Sequence, residues 1–346
     1  MNSKALVTVT GASGFIALRT IKKLLEQGYD VRGTLRNPAR AQSLTNALAE
    51  RVDVAGLSFV TADLSADEGW DTAMEGAQYL LHMASPLPVI EPKDERDLIS
   101  PARDGALRAV KAAAAAGIRR IVMTSSIAAV YGGHDKSKPL DETCWSDINA
   151  PIGAYPKSKT IAEKAVWDYL ASLSAESRPQ LAVINPGFVL GPVLDHDISA
   201  SHEVVRRLLA REVPGIPDIS FNLVDVRDVA KAHISAMEKP DAAEKRFICV
   251  TDRMSLRQIA RELDLYLAPR GYKIPTQPVP DWLVRLLALF SPSLKVAAAR
   301  LGPAHQYNTH QIRNTLAWQP ISVRQSVIET AESLIANDLI HPDRPQ

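Results

Sequence analysis

The chain has 346 residues, which at the usual scale of about 150 per domain is enough for two compact domains or one enlarged α/β domain. Its 40 Lys and Arg against 39 Asp and Glu leave a formal net charge of +1, and 46% of the residues are hydrophobic, which excludes a basic polyanion-binding domain and a disordered chain. Only Cys144 and Cys249 are present, so no disulfide framework or cysteine-based zinc site is available and a reducing cytoplasm is the expected compartment.

The first apolar run, Ala5 to Thr10, follows one basic residue, Lys4, and is too short for a secretory signal; it reads as a strand. The Ala-rich stretch around Ala112 to Ala116 is bounded by Lys111 and by Gly117-Ile118-Arg119-Arg120, so no membrane span is expected. Further β-branched apolar runs follow at Asp30 to Leu35, Leu57 to Thr61, Gln78 to Met83, Arg120 to Ser125 and Leu181 to Asn185, with helical patterns between them. Strands that are apolar almost throughout and alternate with helices predict a parallel, doubly wound sheet, whose ligands bind at the carboxyl ends of the strands.

Directly after the first strand stands Thr10-Gly11-Ala12-Ser13-Gly14-Phe15-Ile16-Ala17, followed by a helical pattern from Leu18 to a stop at Gly28. Gly11 permits the tight turn, Gly14 admits a pyrophosphate close to the backbone, and the first N–H groups of the helix supply donors at a positive dipole end. Ala17 takes the third-glycine position. Gly11, Ser13, Gly14, Phe15 and Ile16 are therefore candidate cofactor residues.

The second strand ends Val31-Arg32-Gly33-Thr34-Leu35-Arg36-Asn37, without the carboxylate that would hold an NAD ribose. Arg36 is placed to pair with a 2′-phosphate, so NADPH is the expected cofactor, with Arg40 or Arg32 as assistant. Asp63, at the end of the third strand, can accept from the adenine amino group or simply cap a turn. The fifth strand ends Met123-Thr124-Ser125-Ser126, at the edge where a nicotinamide should lie, and a hydroxyl there can hold a carbonyl oxygen that becomes an alkoxide. Next comes Tyr155-Pro156-Lys157-Ser158-Lys159; Tyr155 and Lys159 lie four apart, on one helix face, where an ammonium would favour phenolate and move the tyrosine toward a usable pKa.

Beyond Gly191 the rhythm loosens. Pro192, Pro214 and Pro217 punctuate a loop, and from Ser255 onward helical patterns predominate between Pro269, Pro275, Pro278 and Pro280, which predicts a smaller helical cap. The expected division is 1–190 with 221–250 for the dinucleotide and 191–220 with 251–346 for the substrate. His196 to Val205 is expected to contribute to the substrate pocket. His82 reads as a packed histidine, Asp225 and Asp228 as capping residues of a helix from Val226 to Met237, and the apolar stretch Trp282 to Phe290 as internally packed. The histidines show no metal spacing, and no metal is assigned.

Together these motifs resemble the extended short-chain dehydrogenase/reductases, and within them the dihydroflavonol 4-reductase-like NADPH-dependent aldehyde and ketone reductases. Matching segments include Val31 to Arg36, Ala62-Asp63-Leu64, His82-Met83-Ala84-Ser85-Pro86, Thr124-Ser125-Ser126, Tyr155 to Trp167, Asn185-Pro186-Gly187-Phe188-Val189-Leu190-Gly191-Pro192 and Val224 to Ala230. The resemblance implies a catalytic Ser126, Tyr155 and Lys159, with Ser125 as fallback. It also implies a cofactor lined by Asp63, Leu64, Met83, Ala84, Ser85 and Thr124, with Pro186, Gly187 and Val189 flanking the nicotinamide; Ser85, Ser126, Tyr131 and Tyr155 would face substrate.

Three departures narrow the expectation. Ala102 replaces a relay Asn of the wider superfamily, so water or the cofactor ribose must serve. Tyr131 stands where flavonoid reductases have an Asn, which argues against a flavonoid. Ile127-Ala128-Ala129 follows Ser126 where sugar-nucleotide dehydratases carry acids. The expected activity is hydride transfer between NADPH and the carbonyl of an aldehyde or ketone; the rivals are an NAD-dependent sugar-nucleotide epimerase/dehydratase and a non-catalytic NADPH-sensing regulator. The expected partner is a small carbonyl compound, not nucleic acid or membrane, with a homodimer as the oligomer to test.

Overall fold

Neighbouring residues of a strand point to opposite faces, so a strand apolar at every position needs two cores. In the computed structural model, which describes residues 4–86, 92–195, 198–213, 215–290 and 297–340, the central strands do this. Leu80, Ile121, Met123, Leu181 and Val183 enter one buried cluster, while Leu81, Val122, Ala182 and Ile184 enter the other.

The strands are β1 (Lys4–Val9), β2 (Tyr29–Leu35), β3 (Leu57–Thr61), β4 (Tyr79–His82), β5 (Arg120–Thr124), β6 (Gln180–Pro186), β7 (Phe188–Leu190), β8 (Ser220–Asp225), β9 (Lys245–Cys249) and β10 (Asp252–Ser255). Seven form a sheet of order β3-β2-β1-β4-β5-β6-β9, parallel throughout. The order reverses between β1 and β4, which opens a crevice beyond their carboxyl ends. The expected doubly wound architecture is therefore present, with strand ends within one or two residues of expectation. The sequence reading omits β9, whose short run Phe247-Ile248-Cys249-Val250 is buried at the sheet edge.

The first helices are α1 (Phe15–Glu26), α2 (Ala41–Ala49), α3 (Trp70–Met74), α4 (Arg96–Ala115), α5 (Ala128–Tyr131), α6 (Ala154–Ala171), α7 (Ala200–Leu209), α8 (Val226–Glu238) and α9 (Leu256–Leu267). α1 and α8 cover one face of the sheet. On the other, Ala102, Ala106, Ala109 and Ala113 of α4 share a cluster with Ala162, Val166 and Leu170 of α6, small side chains that let the two helices approach closely.

β10, β8 and β7 form a second sheet, and a third core joins Leu190, α7, α9 and the helix Val323–Ala336. The C-terminal region is thus mostly helical, as expected. Asp225 caps α8 by accepting from the Arg227 N–H at 2.8 Å. Pro214 and His196, the first residue of the expected substrate loop, lie outside the described residues.

The stretch Trp282 to Phe290 departs from expectation. Its helix α10 (Asp281–Leu287) buries only the narrow line through Val284 and Ala288, while Trp282 is 65% and Phe290 82% exposed. Residues four apart stack on one face, so a short helix resting on that line leaves its other apolar residues outside. Among the described residues, no helix is long and apolar enough to cross a membrane.

Candidate active site

Thr10, the last residue before the Gly-rich turn, organises the bottom of the crevice. Its Oγ1 accepts from the N–H groups of Met83 and Ala84, both at 2.9 Å, so its own proton goes to His82 Nδ1 at 3.0 Å. His82 is fully enclosed, and burial lowers its pKa to about 4, which keeps the ring neutral and accepting. The tip of β4 is thereby fixed against Gly11. That glycine has φ +66°, and a Cβ there would lie 3.0 Å from Ala84. The Gly11 N–H donates to Thr34 Oγ1 at 3.1 Å and the Ala12 N–H to Thr34 O at 3.0 Å, tying the turn to β2. α1 then starts at Gly14 with no side-chain cap and no acid in its first turn, so its leading donors and dipole face the crevice. This cradle fits a dinucleotide pyrophosphate.

At the tip of β2, Arg36 is exposed and, among the described residues, carries no ion pair. Arg32 points elsewhere, donating to the carbonyls of Thr72 at 3.0 Å and Ala73 at 3.3 Å beneath α3. Arg40 pairs with Asp195 at 2.5 Å, across from the loop after β7. Asp63 accepts from the Ser65 N–H at 2.8 Å and hydroxyl at 2.7 Å, and these bonds hold its carboxyl below the usual range. It acts as a turn residue in this structure. The Leu64 carbonyl is held by Arg108. Phe15 meets the edge of His202 with ring centroids 4.3 Å apart, so the expected substrate loop packs on the Gly-rich turn.

Ser126 lies just past β5, where the chain turns into α5. Its Oγ accepts from the Ala128 N–H at 3.1 Å and lies near enough to the Tyr155 phenol to influence its ionisation. Gly153, at φ 83°, starts α6, which carries Tyr155 and, one turn later, Lys159; the Lys159 Nζ lies 5.8 Å from the Tyr155 ring centroid. Burial pushes the phenol above its usual pKa, opposed by the neighbouring Ser126 hydroxyl and the charge of Arg300. The expected lowering by Lys159 is not what the protein alone shows, because desolvation outweighs the charges. Burial also brings the Lys159 ammonium down to about 8, although Glu163 favours its charged form.

Behind these groups runs a network that sequence reading missed. Glu163, fully buried on α6, accepts from Arg246 Nε at 2.6 Å and from Asn185 Nδ2 at 3.0 Å; the same Asn185 amide donates to the Ser126 carbonyl at 3.1 Å. Arg246 lies 3.6 Å above the Trp145 ring centroid. On the sheet's other face, His233 Nδ1 donates to the Val229 carbonyl at 2.8 Å, so its Nε2 accepts from Thr124 Oγ1 at 2.7 Å. Ser125, the fallback residue, is buried, and its Oγ lacks a partner among the described residues. Ser85 and Val189 are partly buried, and the Pro186 carbonyl accepts from the Ile127 N–H at 3.0 Å. The Gly187 N–H donates to the Cys249 carbonyl at 3.1 Å. Tyr131 stacks on His305 with centroids 5.4 Å apart. Among the described residues, no group of three His, Cys, Asp or Glu is placed to hold a metal.

A family model described as the NAD dependent epimerase/dehydratase family matches residues 7–250. Cinnamoyl-CoA reductase 1 of Oryza sativa subsp. japonica is 36% identical over 268 residues, covering 75% of this chain and 76% of that one. The NADPH-dependent methylglyoxal reductase GRE2 of Saccharomyces cerevisiae is 33% identical over 275 residues, covering 73% and 80%. The crystal structure of yeast methylglyoxal/isovaleraldehyde reductase Gre2 complexed with NADPH superposes with a TM-score of 0.80 at 26% identity, covering 96% of this chain and 99% of that one. The chain therefore belongs to the NAD dependent epimerase/dehydratase family, among the extended short-chain dehydrogenase/reductases and in their dihydroflavonol 4-reductase-like reductase group.

Proposed function

We propose that this protein is an NADPH-dependent reductase of aldehydes or ketones, with Ser126, Tyr155 and Lys159 as its catalytic residues. The observation that carries this reading is the placement of the Ser126 hydroxyl close enough to the Tyr155 phenol to favour its ionised form, with Lys159 one turn away on the same helix. Bound NADPH supplies the hydride to the carbonyl carbon. Tyr155, kept neutral by burial, donates the proton to the carbonyl oxygen. Ser126 orients that oxygen, its own hydroxyl held by the Ala128 N–H. The Lys159 ammonium favours the phenolate that remains. Gly11, Ser13, Gly14, Phe15 and Ile16 hold the pyrophosphate, with Arg36 on the 2′-phosphate. Arg40 joins Arg36 only by leaving Asp195. The sheet and α8 form the dinucleotide part of the proposed division, and the third core forms the cap.

The epimerase/dehydratase reading has less support. Ser126 is followed by Ile127, Ala128, Ala129 and Val130, the last three buried in α5, which leaves no carboxylate for elimination. The Tyr155→Phe variant tests the proposal: turnover of a carbonyl panel should collapse while NADPH affinity, read by fluorescence titration, stays unchanged. Undiminished turnover would refute it.

A further inference from the structure

Around Tyr131, near Tyr155, stand polar groups that carbonyl reduction itself leaves unused. Residues 300–308 are stitched to two neighbours: the Gly302 N–H donates to the Asp218 carbonyl at 2.7 Å, the Leu140 N–H to the Gln306 carbonyl at 2.9 Å and the Asn308 N–H to the Leu140 carbonyl at 2.8 Å. This fixes His305 flat against Tyr131, with ring planes 21° apart. His305 is only 9% exposed, yet among the described residues its Nδ1 has no partner; nor has the buried Tyr307 hydroxyl. Buried polar atoms are seldom left so, and a pair of them beside a reaction centre points to a ligand that completes them.

Arg300 supplies the charge. It is exposed and, among the described residues, pairs with no carboxylate. Its field reaches the phenols of both Tyr155 and Tyr131. Lys136 adds positive charge near His305, and the nearby acid, Asp135, is engaged by the Ser137 N–H at 3.0 Å and by the Ser137 hydroxyl. Burial, with Lys136 and His134, lowers the His305 pKa, so the ring brings a neutral donor. One guanidinium with two neutral donors matches a carboxylate's single negative charge.

We infer that Arg300, His305 and Tyr307 bind a carboxylate on the carbonyl substrate, which makes the enzyme selective for oxo acids over neutral carbonyl compounds. This rests on the reductase reading above. The test uses the full chain with NADPH and a series of oxo acids, one to four carbons between carbonyl and carboxylate, each paired with its methyl ester. Wild type should prefer the acid for at least one chain length. Arg300→Gln should then lose about 10- to 100-fold in kcat/KM for that acid, mostly through KM, with the ester nearly unchanged and partial recovery in Arg300→Lys. Tyr307→Phe, which removes one oxygen atom, should show a smaller loss of the same kind. Esters reduced as well as every acid, or an equal loss on both, would overturn the inference while leaving the reductase reading intact. Turnover of neither would remove both.

Discussion

Asn185 donates one amide group to two acceptors, the Glu163 carboxylate at 3.0 Å and the Ser126 carbonyl at 3.1 Å. The end of β6 thus holds the turn that presents Ser126, while Arg246 holds Glu163 in place. Arg246 also donates to the carbonyls of Glu142 and Cys144, both at 2.7 Å. Removing one partner of a buried ion pair leaves the other charged and dry, so Arg246→Met is expected to cost about 3–5 kcal/mol. The double variant Glu163→Leu with Arg246→Met should recover much of that loss in urea unfolding. An additive loss in the double variant would show that the pair does not act as one unit.

Asn185→Leu should affect kcat far more than KM, because it loosens Ser126 without touching the pocket wall. Steady-state kinetics separate the two. A change confined to KM would deny Asn185 this positioning role.

The legible parts of this protein are those in which local sequence dictates local geometry. Thr10 to Ala17 reads as strand, turn and helix because glycine freedom and helix periodicity are short-range properties, and Tyr155 and Lys159 share a face because four residues close one turn. The illegible parts depend on contacts remote in sequence. Glu163 meets Arg246 across 83 residues, and neither position carries a local signature of the other. The segment of Arg300, His305 and Tyr307 is positioned by backbone hydrogen bonds to Asp218 and Leu140, both remote in sequence. For the exposed face of α10, composition misled: the residues are apolar, but the helix is too short to bury more than one line of them.

Lys159 is expected to cost stability. Burial lowers its pKa from the ordinary 10.5 to about 8, so between those values the unfolded chain binds a proton that the folded chain has released. Stability therefore rises as pH rises through that window, and the full cost applies below it. Lys159→Met should melt at higher temperature than wild type at neutral pH, while losing turnover. A lower melting temperature would mean that attraction to Glu163 outweighs desolvation.

His82 and His233 set an acid limb. Burial holds both near pKa 4, against 6.5 unfolded. As pH falls from 6.5 toward 4, the unfolded chain takes up protons that the folded chain refuses, so stability declines. Each should cost about 2 kcal/mol between about pH 7 and about pH 5. The double variant His82→Asn with His233→Gln should show a flatter dependence of the urea midpoint over that range. A midpoint that falls as steeply as in wild type would move the acid sensitivity to other groups.

Arg36 should decide between the two dinucleotides. It is exposed at the tip of β2 with no ion pair among the described residues, whereas Arg32 is occupied beneath α3 and Arg40 is held by Asp195. A guanidinium in that position can pair bidentately with a 2′-phosphate, and a glutamate there repels it but can accept from a ribose hydroxyl. Arg36→Glu is therefore expected to weaken NADPH binding about 100-fold while leaving NADH binding unchanged or improved, as measured by fluorescence titration of each cofactor. Equal losses for both would place the phosphate contact elsewhere. Asp195→Asn, which removes the charge paired with Arg40, should tighten NADPH in the Arg36→Glu background, and the size of that recovery measures what the Asp195 pair withholds.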